Sequence, residues 1–182
     1  VKLQQLTETA IGAALAIILS YLIIFRAPQG GSISLVMVPI LWIALKNGVW
    51  AGLLCGLITG AVTFMFGGFF VAPLQVLFDY VFAFGSIGLA GLFSEPVLAM
   101  AGQHHQRRLV GTVILAGSLA GVSRLLFHTL AGIVFYTAYV PKGQPVWLYS
   151  LTYNSLYVIP DTILAIVVVL VLVTRVPRLL LR

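Results

Sequence analysis

The chain has 182 residues, of which 61% are hydrophobic and only 8% charged, and its mean hydropathy is +1.13. A water-soluble domain carries about 25% charged residues, so an ordinary soluble fold is excluded and a chain nearly saturated with membrane-spanning segments is implied. The net charge of +6 is not gathered into a basic stripe, which argues against nucleic-acid binding; the lysines and arginines sit in short connections and near the end of the sequence, where membrane orientation signals belong.

Thr7 or Thr9 can cap a first helix over 8–25, long enough to span about 30 Å of hydrocarbon. Its apolar run lacks a small-residue cleavage pattern before the next segment, so a retained helix is expected rather than a signal peptide. Ala10 and Ala14 form an AxxxA pattern, with Gly12 and Ala13 beside them. Small faces of this kind admit either a partner helix or a neighbour in the same bundle. Residues 26–32, RAPQGGS, break the chain into a loop. Residues 33–45 are short for a span and contain Pro39, so a short or tilted segment is expected. Lys46-Asn47-Gly48 makes a tight turn, and Trp50 takes an interfacial position. The third span covers 49–66, where Gly52, Gly56 and Gly60 repeat every four residues and give one smooth face.

An uncharged loop over 67–73 leads to a fourth span over 74–93, which carries Asp79-Tyr80. Residues 94–108 are the most polar connection. Adjacent His104 and His105 would point about 100° apart on a helix, so a solvated loop is expected there and no metal site. The fifth span covers 109–139, and the sixth, over 147–174, is interrupted by Pro160-Asp161. Cys55 is the single cysteine, which rules out a disulfide within the chain; in its apolar run it reads as a small buried hydrophobe.

With the N-terminus inside, six spans place Lys2, Lys46, Arg107, Arg108, Arg175, Arg178 and Arg182 inside, and only Arg26 and Lys142 outside. That asymmetry supports an N-in, C-in orientation. The expected architecture is all-α, a single membrane domain over 1–182 with six transmembrane helices.

Charged groups in hydrocarbon need a partner or a function. On the fifth span Arg124, His128 and Tyr136 are spaced by four and eight residues and share one face. In the orientation above, Tyr136 lies near the outer mouth, close to the start of the sixth span with Trp147, Tyr149, Tyr153 and Asn154, and Asp79-Tyr80 lies within a few turns of it. This set suits a flat heteroaromatic ligand with a polar edge, since aromatic faces stack on rings and attract cations. Asn154 can donate and accept, and Asp79 can accept from an amine or balance a positive charge. Plainer roles stand beside these. Arg124 can pair with Asp79 or Asp161 to hold helices in register, His128 can be a satisfied interior histidine, and the tyrosines can form an interfacial belt. No GxSxG, HExxH, P-loop or paired-carboxylate motif is present, so an enzyme is not expected, and if the chain transports it is not expected to hydrolyse ATP itself. A self-sufficient transporter relaying protons through Asp79, Asp161 and His128 is the alternative, although no pair of broken spans suggests an inverted repeat.

Four segments, TETAIGAALA, FDYVFAFGSIGLAGLF, SRLLFHTLAGIVFYTAYVPKG and LYSLTYNSLYVIPD, carry a resemblance that covers nearly the whole chain. They resemble the substrate-binding S-components of energy-coupling factor (ECF) transporters, most closely the thiamine-specific ones. The resemblance implies a six-helix protein of the bacterial plasma membrane that binds thiamine, or another heterocyclic vitamin or precursor, near the outer face and needs no cofactor. It implies partners as well: a transmembrane coupling protein, docked through Ala10 and Ala14, and two ATPase subunits. Ligand contacts are implied for Asp79, Tyr80, His128, Tyr136, Tyr149 and Asn154, with Arg124 added. The chain departs from the family pattern at two of these positions, with Asp79 in place of a glutamate and Tyr136 in place of a tryptophan. The aromatic of the family's first loop has no match in 27–34.

Overall fold

A computed structural model describes residues 3–101 and 106–181. The described chain is helical apart from one small hairpin. Its elements are α1 (Leu3–Ser20), β1 (Phe25–Arg26), β2 (Ser32–Ile33), α2 (Met37–Asn47), α3 (Val49–Met65), α4 (Pro73–Met100), α5 (Gln106–Phe135), α6 (Val146–Arg175) and a short α7 (Arg178–Leu181). By length and composition α1, α4, α5 and α6 can each cross a membrane, whereas α2 and α3 are apolar but shorter. The shortness of α2 has a clear setting. Nearly all its residues are buried, and Met37, Ile40, Leu41 and Leu45 form the centre of a core that also takes Ala16, Cys55, Ile87, Val113 and Val169 from the surrounding helices.

Several element boundaries differ from those expected. Helix α1 already includes Leu3, so Thr7 and Thr9 do not cap it; their hydroxyls donate back to the carbonyls of Leu3 (3.0 Å) and Gln5 (2.6 Å). The same helix stops at Ser20 instead of running to 25. Beyond it the backbone finds partners in a returning strand, with Phe25 opposite Ile33 and Arg26 opposite Ser32. The turn closes through Ala27 N–H to the Gly31 carbonyl at 2.6 Å, and Gly30, at φ +99°, supplies the left-handed residue it needs. Pro39 falls in the first turn of α2, where its missing N–H is not required. Residues 94–108 are not a loop throughout, because Ser94–Met100 continues α4 and Gln106 already lies in α5. His104 and His105 lie outside the described residues. The turn expected over Lys46-Asn47-Gly48 is tighter still: Lys46 and Asn47 complete α2, and Gly48 alone, at φ +86°, joins it to α3.

Helix α4 changes geometry along its length, with a π-helical turn over Leu77–Phe82 and a 3₁₀ stretch over Ile87–Phe93. It lies directly against the glycine face of α3. A Cβ on Gly56 would run into the Phe84 carbonyl oxygen, one on Gly60 into the Tyr80 carbonyl oxygen, and one on Gly52 would come within 2.8 Å of the Gly88 Cα. The smooth face predicted from the four-residue repeat therefore brings two backbones together, and it fixes the position of the π-turn that carries Asp79 and Tyr80.

Candidate functional site

At the hairpin end of the bundle lies a cavity of about 380 Å³, a size that suits a small organic molecule. The hairpin loop covers one side and the loop between α3 and α4 another; α4, α5 and α6 make the remaining walls. Asp79, Tyr80, Arg124, His128, Tyr136, Tyr149 and Asn154 all line it.

The π-turn of α4 presents Asp79 to this space, and three side chains converge on the carboxylate. His128 Nδ1 lies 2.9 Å from Oδ1, while Gln75 Nε2 (2.8 Å) and the Tyr136 hydroxyl (2.9 Å) donate to Oδ2. Against a carboxylate oxygen Nδ1 is the donor, and the other ring nitrogen is Nε2. That nitrogen is buried and has no partner among the described residues.

Arg124 has a different partner. Its guanidinium is ion-paired with Asp161, which is fully buried on α6, and sits 4.9 Å from the centroid of the Phe84 ring. The other Asp161 oxygen accepts from the Ser34 backbone N–H at 2.8 Å, which anchors the end of the hairpin loop. Of the two acids available to it, Arg124 thus pairs with Asp161. The site's charge follows: Asp161 is matched by a fixed cation, whereas Asp79 is contacted by Gln75, Tyr136 and His128, none of which is permanently charged.

Aromatic rings line the cavity as well. Tyr149 and Tyr153 stack at 6.0 Å, Tyr157 meets Tyr153 edge-on at 6.1 Å and His128 at 5.7 Å, and Phe69 stacks on Tyr136 at 6.0 Å. The tip of the hairpin loop is held by the Tyr153 hydroxyl, which accepts from Gln29 N–H at 2.7 Å. Asn154 is engaged by its neighbours, donating to the Ser150 carbonyl at 2.8 Å and accepting from Tyr157. The Tyr80 hydroxyl accepts from the Phe69 N–H at 2.6 Å.

Gln75, Phe69 and Tyr157 escaped the sequence reading. Gln75 had a signal, since it lies four residues before Asp79 on the same helical face. Phe69 had none, because an uncharged loop has no period to read. On α1, Ala10 and Ala14 are exposed while Gly12 and Ala13 are buried, so the small-residue patch divides into an outward AxxxA pair and an inward face against Ile43.

The profile of the family described as "Thiamine transporter protein (Thia_YuaJ)" matches residues 6–181. The chain is 40% identical to "Thiamine transporter ThiT" of Bacillus subtilis (strain 168) over 182 residues, covering 98% of this chain and 95% of that protein. It is 34% identical over 184 residues to the protein of the same name from Lacticaseibacillus paracasei, covering 98% and 90%. The solved structure of ThiT from Listeria monocytogenes superposes with a TM-score of 0.91 at 29% identity, covering 98% of this chain and 97% of that one. With a matching profile over nearly its whole length and an all-α fold shared with a solved member, the chain belongs to the thiamine transporter family of S-components, multi-pass membrane transport proteins that are not enzymes.

Proposed function

We propose that this chain is the high-affinity thiamine-binding subunit of an ECF-type transporter in the bacterial plasma membrane. Both termini face the cytoplasm, the cavity opens outward, and thiamine is captured there. A transmembrane coupling protein and two ATPase subunits supply the ATP-driven step that releases it inside.

The observation that carries this reading is Asp79, a carboxylate with no fixed counter-charge in a cavity lined by tyrosines. Thiamine joins a permanently cationic thiazolium ring to a neutral aminopyrimidine. A flat cation gains from the tyrosine faces and from a nearby carboxylate that has no competing counter-charge. Six of the named residues, Asp79, Tyr80, His128, Tyr136, Tyr149 and Asn154, form the ligand shell; Arg124 contributes to the cavity wall with its charge held by Asp161. The distribution of lysine and arginine supports the orientation. The exposure of Ala10 and Ala14 supports a docking role for the α1 face.

Isothermal titration of the purified protein with thiamine tests the reading. Tight binding is expected, weakened at least about tenfold in Asp79→Ala, and the absence of both heat and a thermal shift overturns it. Liposomes holding this chain alone should show no uptake. Proton-driven thiamine accumulation in them would instead establish a self-sufficient transporter.

A further inference from the structure

Gln75 is fully buried one helical turn before Asp79, behind the cavity wall. All sides of its amide are in use. Oε1 accepts from the Val71 N–H at 3.0 Å, while Nε2 donates to the Phe69 carbonyl at 3.3 Å and to Asp79 Oδ2 at 2.8 Å. A backbone N–H can only donate, and a carbonyl or an ionised carboxylate can only accept, so turning the amide over would break all three bonds. Its orientation is therefore fixed by the backbone of the loop, and with it the N–H offered to Asp79.

These bonds close a circuit. Gln75 holds Asp79 and Phe69, the Phe69 ring stacks on Tyr136, and the Tyr136 hydroxyl returns to the same Asp79 oxygen at 2.9 Å. A residue that only splinted the loop would need its bonds to Val71 and Phe69 and no other. The third bond, to Asp79, links that splint to the one carboxylate in the cavity without a fixed counter-charge.

We infer that Gln75 is a positioning residue for ligand capture: it holds the Asp79 carboxylate in one rotamer, at a set distance from the Phe69–Tyr136 aromatic wall. This rests on the thiamine-binding reading above and deepens it. The spacing between carboxylate and ring wall selects a flat cation, and Gln75 sets that spacing without touching the ligand.

A double-mutant cycle tests it, with thiamine affinity measured by titration for Gln75→Leu, Asp79→Ala, the double variant and the wild type. In the wild-type background Gln75→Leu should weaken thiamine binding about tenfold, the scale of a hydrogen bond to a charged group. In the Asp79→Ala background the same change should cost less than about twofold, because the group it positions is gone. Equal losses in both backgrounds would make Gln75 a loop splint alone and overturn the inference, as would no loss in either. Should Gln75→Leu fail to fold, Gln75→Met completes the same cycle; it keeps the length of the side chain and removes the donor to Asp79. Wild-type protein that binds no thiamine overturns the underlying reading and this inference together. Wild-type binding without coupling overturns this inference alone.

Discussion

The Tyr136 hydroxyl donates to Asp79 Oδ2 at 2.9 Å, joining the residue just past α5 to the carboxylate on α4. They are two of the positions at which the resemblance implies another residue, a glutamate for Asp79 and a tryptophan for Tyr136. Aspartate is one methylene shorter than glutamate, and tyrosine brings a hydroxyl that tryptophan lacks. The departures meet in a single bond, so they act as one paired exchange.

Tyr136→Phe should therefore weaken thiamine binding about tenfold, since it removes a hydrogen bond to a charged group while leaving a ring to stack on Phe69. The paired exchange Asp79→Glu with Tyr136→Trp should bind thiamine more tightly than either single variant. Titration of all four proteins checks this, and strictly additive losses would count against the pairing.

The Arg124–Asp161 pair predicts a different kind of loss. Both side chains are buried, and Asp161 also anchors Ser34. Asp161→Ala leaves a guanidinium without its partner in the bundle interior, and should lower stability by about 3–5 kcal/mol. Arg124→Met combined with Asp161→Asn removes both charges and keeps an acceptor for the Ser34 N–H. That double variant should melt above Asp161→Ala, which thermal unfolding in detergent will show.

Much of this architecture was legible in the sequence because it rests on spacing. Arg124 and His128 reach one cavity because four residues bring a helix back to nearly the same face, while Tyr136, one residue past the end of α5, reaches it from the chain that follows. The glycines of α3 meet α4 for the same reason. The hairpin was hidden, because Ile23, Ile24 and Phe25 continue the apolar run of α1 and only their pairing with Ile33 and its neighbours ends the helix. The partner of Arg124 was hidden as well. Choosing between Asp79 and Asp161 requires the rotation of α4 and α6 about their axes, which no single-helix pattern contains.

The glycine face yields a graded prediction. At Gly56 an added methyl meets the Phe84 carbonyl oxygen, part of a helix backbone that cannot move alone, so Gly56→Ala should destabilise by about 1–3 kcal/mol. Gly60→Ala presses on the Tyr80 carbonyl within the π-turn and should also weaken thiamine binding. Gly111→Ala is the control. Nothing lies within 4 Å of its new methyl, and it should stabilise α5 by about 0.5–1 kcal/mol. Melting temperatures and thiamine titration of the three variants test this order.

Ala10 and Ala14 provide the test that separates capture from delivery. Both are exposed on α1, while Gly12 and Ala13 behind them pack inward, so enlarging the outward pair disturbs no contact within the bundle. Helix axes approach to about 8 Å only where the facing side chains are small. Ala10→Leu with Ala14→Leu should thus leave thiamine affinity within about twofold and the melting temperature unchanged, since affinity depends on the distant cavity. Thiamine uptake by proteoliposomes that also hold the coupling protein and ATPases should be abolished, because the leucines keep the partner helix at a distance. Uptake at the wild-type rate would remove the AxxxA face from the docking surface while leaving the binding site as described.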